Sequence, residues 1–298
     1  MTLEETQRRT QVVSAIHDIV GALRTIAAGR IQGAQRSLLA SRNYRDVVQE
    51  ALVAAAGENP PSRLPHVSHR APLLVVLTSE QPLCGAFNQN VLDFAERRWQ
   101  ELNRNRKPLL MGVGRRGLKL MSQRGISCDF SAPGATSLSG VRDAIRKVAS
   151  VIDRLIAEHK VGSVYVVYNR YQSVSEQIPH EERILPIDLR AFPKSAGLPC
   201  PGPIHHYLTK PELLAGLVGE YSFISLYQAA LDSFAGEQAS RLTAMDGASR
   251  NTDRMLDELK ELERRERQGL ITAQVLEQIA DRAALLSAKE SSGECEET

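Results

Sequence analysis

The stretch SFISLYQAALDSFAGEQASRLTAMDGASRNTDRMLDELKELERRERQGLITAQVLEQIADRAALL, residues 222–286, decides the fold. It runs for about 65 residues without a proline and, at about 1.5 Å per residue, forms one helix of roughly 100 Å. A globular helix usually has about 11–12 residues. A helix this long cannot bury its apolar face inside one small domain, so it requires a partner helix or a surrounding protein wall. Met245, Ala248, Thr252, Met255, Leu259 and Leu262 follow at steps of three and four, the a/d seam of a left-handed coiled coil. Glu258, Lys260, Glu261, Glu263, Arg264, Arg265, Glu266 and Arg267 fill the neighbouring faces. After Gly269 the apolar set moves to Ile271, Val275, Ile279 and Leu286, so the stripe drifts around the helix. The plainer reading, a surface helix with a solvated charged face, is opposed by both length and seam.

Residues 3–56 read as a second long helix. Ile16, Ile19, Leu23 and Ile26 begin a heptad seam that continues through Arg30, Gly33 and Ser37, with Ala27, Ala34 and Leu38 beside it. Ala27, Ala28, Gly29, Gly33 and Ala34 make the middle of this helix slim. Each glycine there costs about 1 kcal/mol of helix propensity, and the small residues allow a partner helix or wall to approach closely. The helix is expected to end near Gly57, before Asn59, Pro60 and Pro61.

Between the helices the pattern alternates. L-L-V-V-L at 73–77 reads as a strand buried on both faces. Helices are expected at 91–103, 117–123 and 138–159, and strands at 108–113, 127–130, 163–168 and 177–189. On the 138–159 helix Leu138, Val141, Ile145, Val148, Ile152 and Leu155 share one face. Alternating strands and helices imply a mostly parallel sheet covered on both sides. Residues 192–203, rich in Pro and Gly, read as a linker. The expected fold class is α/β: a long antiparallel coiled coil of the N- and C-terminal helices plus a Rossmann-like α/β domain. The expected divisions are an N-terminal coiled-coil helix at 1–58, the α/β domain at 70–192, a C-terminal coiled-coil helix at 208–288, and a disordered acidic tail at 289–298.

The bulk properties narrow the function. At 298 residues the chain holds one large or two smaller domains. A net charge of +2 predicts no strong attraction to nucleic acid or membrane. Cys84, Cys128, Cys200 and Cys295 lack metal-ligand spacing, so reduced thiols in a cytosolic setting are expected. No apolar run is read as reaching the roughly 20 residues of a membrane span. The start, Met1 to Arg9, carries Glu4 and Glu5 and reads as neither a secretory signal nor a transit peptide.

Two loops invite a chemical reading. Residues 112–117, G-V-G-R-R-G, match the dinucleotide fingerprint after a strand and before a helix, with Asp129 near the place of a ribose-binding acid. The motif stands in the second βα unit and holds two arginines, so a tight strand-to-helix turn is the preferred reading. The runner-up is an NAD(P)-dependent Rossmann enzyme, and a third is a coiled-coil scaffold. Residues 78–91, T-S-E-Q-P-L-C-G-A-F-N-Q-N-V, follow the first strand. Cys84 has no histidine or second cysteine near it in sequence and reads as a packed thiol, not a nucleophile. The pairs His205/His206 and His66/His69 read as ordinary exposed histidines, and no metal or cofactor site is expected.

Three stretches together resemble the γ subunit of F-type ATP synthases, the central rotor shaft. They are V-V-S-A-I-H-D-I-V-G-A-L-R-T-I-A-A-G-R-I-Q-G-A-Q at 12–35, continued by Ser41-Arg42 and Tyr44; the loop 79–91, similar to the family's S-D-x-G-L-C-G-x-x-N through Ser79, Leu83, Cys84, Gly85 and Asn88; and E-Q-A-S-R-L-T-A-M-D-G-A-S-R-N at 237–251 with Arg267-Gln268 and Ile271-Thr272. The chain departs from the family pattern at Glu80, Pro82, Glu263-Arg264 and Asp281-Arg282, which suits a divergent γ subunit of a second, sodium-translocating complex. The resemblance implies a non-catalytic mechanical role at the cytoplasmic face of a bacterial inner membrane. The coiled coil would sit within an alpha/beta hexamer, and the α/β domain would dock on the epsilon subunit and the membrane c-ring. Arg267, Gln268 and Thr272 match family residues that meet the β-subunit catch loops, and Arg241 and Leu23 match further rotor–stator contacts.

Overall fold

The computed structural model describes residues 2–56, 70–189, 192 and 208–293, with side chains up to residue 282. The elements run α1 (Leu3–Ala56), β1 (Ala71–Leu77), α2 (Phe87–Asn105), β2 (Leu109–Val113), α3 (Arg115–Gln123), β3 (Phe130–Ala132), α4 (Gly140–Ala157), β4 (Val161–Tyr171), β5 (Gln177–Leu185) and α5 (Lys210–Gly293). They fall into two compact units: one takes the residues up to Leu23 and from Asp246 onward, the other Arg24–Met245.

The larger unit is built on a five-stranded sheet in the order β3-β2-β1-β4-β5. Its first four strands are parallel, because helical crossovers connect them. β5 is antiparallel to β4, since only residues 172–176 join the two and a short link folds the chain back on itself. β1 is central and buried on both sides. Leu73, Val75 and Leu77 face a core shared with α4, the end of α1 and part of α5, while Leu74 and Val76 face α2 and α3. α4 sinks Val141, Ile145, Val148, Ile152 and Leu155 at 4% exposure or less, as the spacing requires. Each such side chain contributes about 1.5–3 kcal/mol over an exposed one.

In both units α1 and α5 pair antiparallel. In the smaller unit Thr6 donates to Glu266 at 2.8 Å, Gln7 to Glu263 at 3.2 Å, and His17 lies 3.1 Å from the Thr252 hydroxyl. In the larger unit Tyr44 donates to Glu220 at 3.1 Å and Gln49 to Tyr221 at 3.4 Å.

The seam itself differs from expectation. On α1 the buried heptad runs through Thr6, Val20, Ala27, Ile31, Ala34, Leu38, Ser41, Val48 and Leu52, one residue later than the sequence pattern placed it. Ile16, Ile19 and Ile26 are 46%, 60% and 48% exposed. The face that meets the chain's own elements holds small and large side chains alike: Ala34 and Leu38 pack on Val141 of α4 and on Leu231, Phe234 and Ala235 of α5, while Ile16, Ile19 and Ile26 lie on the other side of the helix. Gly33 shows how tight this is, since a Cβ there would lie 2.9 Å from Leu138; nothing crowds Gly29. On α5 Met245 and Thr252 are buried as expected, but Met255 is 50% exposed and Leu256 takes the inward place.

Other expectations shift too. The third strand begins at Phe130 and the last ends at Leu185. α5 continues to Gly293, into the stretch read as a disordered tail, and residues 294–298 lie outside the described residues. So do His66, His69, His205, His206 and nearly all of the expected linker. A window of 18 residues in α1 reaches a mean hydropathy of 1.3, long and apolar enough to cross a membrane by length and composition, contrary to the sequence reading. Val12, Val13, Ile16, Ile19, Val20, Leu23 and Ile26 raise that mean, and Thr6 and His17 tie the same helix to α5.

Candidate functional site

The glycine turn after β2 is filled by the chain's own atoms. Gly114 has φ +103°, and a Cβ there would meet the Thr78 carbonyl at 2.4 Å. A Cβ on Gly117 would lie 1.9 Å from the Thr78 hydroxyl. These two glycines therefore serve the packing of the β1 exit against the start of α3.

In a dinucleotide fold the N-terminus of this helix receives a pyrophosphate. Here it receives Glu80. The Glu80 carboxylate accepts the backbone N–H of Arg115 at 3.0 Å and of Gly134 at 2.8 Å, and the Arg115 guanidinium pairs with its other oxygen. Ser79 offers its carbonyl to the Arg116 N–H at 3.1 Å. Burial opposes the charge on Glu80, yet the two backbone donors and Arg115 outweigh it and hold the carboxyl below the usual range. Asp129 sits at the other end of β2, accepting the Leu110 N–H at 2.8 Å, remote from the turn. The dinucleotide reading fails on this geometry, because an internal anion occupies the place of the external one. The sequence hint was Glu80 itself, in a loop read for Cys84.

The 78–91 loop is a docking element. Asn88 accepts the Ser79 N–H at 2.9 Å and donates to the Ser79 hydroxyl at 2.8 Å. Cys84, 3% exposed, donates to that hydroxyl at 3.4 Å, and burial pushes its thiol up, away from nucleophilic character. Gly85 (φ +52°) brings the loop backbone against α5, where Ser240 donates to the Cys84 carbonyl at 2.7 Å and Arg241 to the Pro82 carbonyl at 3.2 Å. Leu83 (φ +65°) is turned outward at 57% exposure. Arg241 also pairs with Glu237 at 2.8 Å, both side chains under 10% exposed. Thus Ser79–Asn88 and Glu237–Arg241, far apart in sequence, meet at one clamp. Glu237 and Ser240 were not singled out from sequence, since nothing local marks which face of so long a helix meets the loop.

The five residues read as partner contacts divide. Arg267, Gln268 and Thr272 are exposed on α5, with Arg267 reaching back to Glu263 at 3.0 Å. Leu23 is half-buried on α1. Arg241 is 4% exposed and committed to Glu237 and Pro82, so it faces the chain's own interior. Beyond Arg267 every described α5 side chain is exposed, including Leu270, Ile271, Val275, Leu276 and Ile279 at 48–62%.

The self-plugged helix terminus and the loop clamped to α5 leave no room for a dinucleotide at this turn, and aliphatic side chains of both long helices stand uncovered. The chain belongs to the ATP synthase γ-chain family. The family model described as ATP synthase matches residues 2–285. The ATP synthase gamma chain of Fuscovulum blasticum is 31% identical over 294 residues, covering 95% of this chain and 99% of that one. The gamma chain of Solibacter usitatus is 30% identical over 292 residues, again with 95% and 99% covered. Among solved structures, a chain of the Euglena gracilis mitochondrial ATP synthase (OSCP/F1/c-ring, rotational state 3) shares the fold with a TM-score of 0.63 at 17% identity, over 96% of this chain and 95% of that one. A chain of the Tetrahymena thermophila mitochondrial enzyme's central stalk and c-ring matches with a TM-score of 0.56 at 21% identity, over 78% and 99%.

Proposed function

We propose that this chain is the central-stalk rotor of an F-type ATP synthase, and that it couples ion-driven rotation of a membrane c-ring to conformational change in a catalytic alpha/beta hexamer. The observation that carries the proposal is the uncovered aliphatic surface on both long helices: Val12, Ile16, Ile19 and Ile26 on α1, and Leu270 to Ile279 on α5. Water penalises such surface, and an apolar collar of alpha and beta subunits would cover it. The drift of the stripe around α5 leaves no single deep lock, so the shaft can turn while still pushing one subunit at a time.

Arg267, Gln268 and Thr272 are the proposed polar contacts to the β subunits, with Leu23 on the facing helix. Arg241 acts from within, by fixing the 78–91 loop to α5. The divisions 1–58, 70–192 and 208–288 serve as coiled-coil arm, docking domain and coiled-coil arm. The α/β domain would meet the epsilon subunit and the c-ring, with the chain peripheral to the cytoplasmic face of a bacterial inner membrane.

Co-expression with the neighbouring alpha and beta subunits, followed by native mass spectrometry, tests the assembly. One copy of this chain per three alpha and three beta subunits is expected; a free monomer or homodimer beside intact alpha and beta subunits would sink it.

A further inference from the structure

A cavity of about 240 Å³ lies between α1, β4, β5 and α5 in the larger unit, away from the loop clamp. It is polar. α1 contributes Arg42 and Arg45, β4 Tyr168 and Arg170, β5 Glu182, and α5 Gln228 and Asp232. Glu182 is already satisfied, by Arg45 Nη1 at 3.3 Å and by the Tyr168 hydroxyl at 3.2 Å. Three buried polar atoms are not satisfied by any protein atom: the donors Arg45 Nε and Gln228 Nε2, and the acceptor Asp232 Oδ1. Gln228 and Asp232 are 4% and 7% exposed. Three arginines, Arg42, Arg45 and Arg170, stand against two carboxylates, Glu182 and Asp232, so the site is net positive.

Buried donors and acceptors without partners are costly. A ligand complementary to this lining carries negative charge, accepts several hydrogen bonds, and donates one to Asp232. A tetrahedral oxyanion that keeps a proton at neutral pH meets all three conditions. Sulfate does not, because it has no proton to give and would face the Asp232 carboxylate as a like charge. The volume lies below the roughly 300–1,000 Å³ of drug-sized pockets, which excludes a nucleotide. We propose that this cavity binds inorganic phosphate, with its oxygens held by Arg42, Arg45, Arg170 and Gln228 and its P–OH donating to Asp232.

Burial raises the Asp232 carboxyl to about 6, against the pull of Arg42, Arg170 and Arg45 and with Glu182 adding to the rise. Selectivity for phosphate over sulfate should therefore hold above pH 7 and fade as pH falls through about 6 and Asp232 takes up its own proton.

The test is isothermal titration of the full-length chain at pH 7.5 with inorganic phosphate, sulfate and glycerol 3-phosphate in turn. Phosphate is expected to bind about tenfold or more tightly than sulfate, the worth of one charged hydrogen bond gained or lost. Asp232→Asn should let sulfate bind as well as phosphate, a change of preference that mere unfolding cannot produce. Arg42→Gln, at an exposed position, should weaken phosphate about tenfold and leave the circular dichroism spectrum unchanged. Equal affinities for sulfate and phosphate in the native chain, or no saturable phosphate binding, would overturn the proposal. Glycerol 3-phosphate binding as tightly as phosphate would overturn the assignment to the inorganic ion.

Discussion

Glu80 reaches two backbone N–H groups, on Arg115 and Gly134, that lie 35 and 54 positions further along the chain. Replacing it with Gln leaves shape but removes the charge, and an expected loss of about 1–3 kcal/mol follows from a weakened buried network, read as a lower midpoint in urea. The pH dependence has a fixed sign. Because the carboxyl is held below its ordinary range, its stabilisation is present above pH 4.5 and is lost as pH falls through the lowered value. Acid titration of the native chain and of Glu80→Gln should therefore converge at low pH; curves that stay equally far apart would contradict this role. The glycine turn was legible as a tight turn, but the plug was not, since no local pattern joins residue 80 to residues 115 and 134. Arg267 and Gln268, the proposed β-subunit contacts, are exposed instead. Changing both to Ala should leave the isolated chain's stability within about 0.5 kcal/mol while lowering ATP hydrolysis by the assembled complex several-fold. Unchanged hydrolysis would remove them from the contact.

At the scale of the element, length and pairing were plain in the sequence and phase was not. Ile16, Ile19, Leu23 and Ile26 carry the largest hydrophobicity in α1 and drew the seam toward themselves. The buried set is one residue later and mixes Thr6, Ala27, Ala34 and Ser41 with Val20, Ile31, Leu38, Val48 and Leu52, so hydrophobicity alone did not mark which face packs within the chain. The difference has a direct check. Ala34 is fully buried beside Leu231 and Phe234, so Ala34→Leu should overpack that cluster and cost about 1–3 kcal/mol. Ile26→Ala should cost under about 0.5 kcal/mol in the isolated chain. Denaturant midpoints with the opposite ranking would restore the earlier seam. The sheet shows the converse. The run L-L-V-V-L announced a strand buried on both sides, but the reversal of β5 depends on the short 172–176 link, which composition does not reveal.

At the scale of the whole molecule, the motifs that carried the family resemblance turn out to be one physical feature. The 79–91 loop and the 237–241 segment touch through Ser240, Arg241 and the Cys84 and Pro82 carbonyls, so they are constrained together. What the sequence could not display was which surfaces remain uncovered once α1 and α5 have paired. That surface is aliphatic on both helices, and a rotor requires it to turn inside a collar. The most direct measurement fixes the alpha/beta hexamer to a surface, attaches a probe to this chain, and adds ATP. Rotation of the probe in one sense is expected, with three pauses per turn for three catalytic subunits. A probe that stays still while ATP is hydrolysed at the full rate would contradict it.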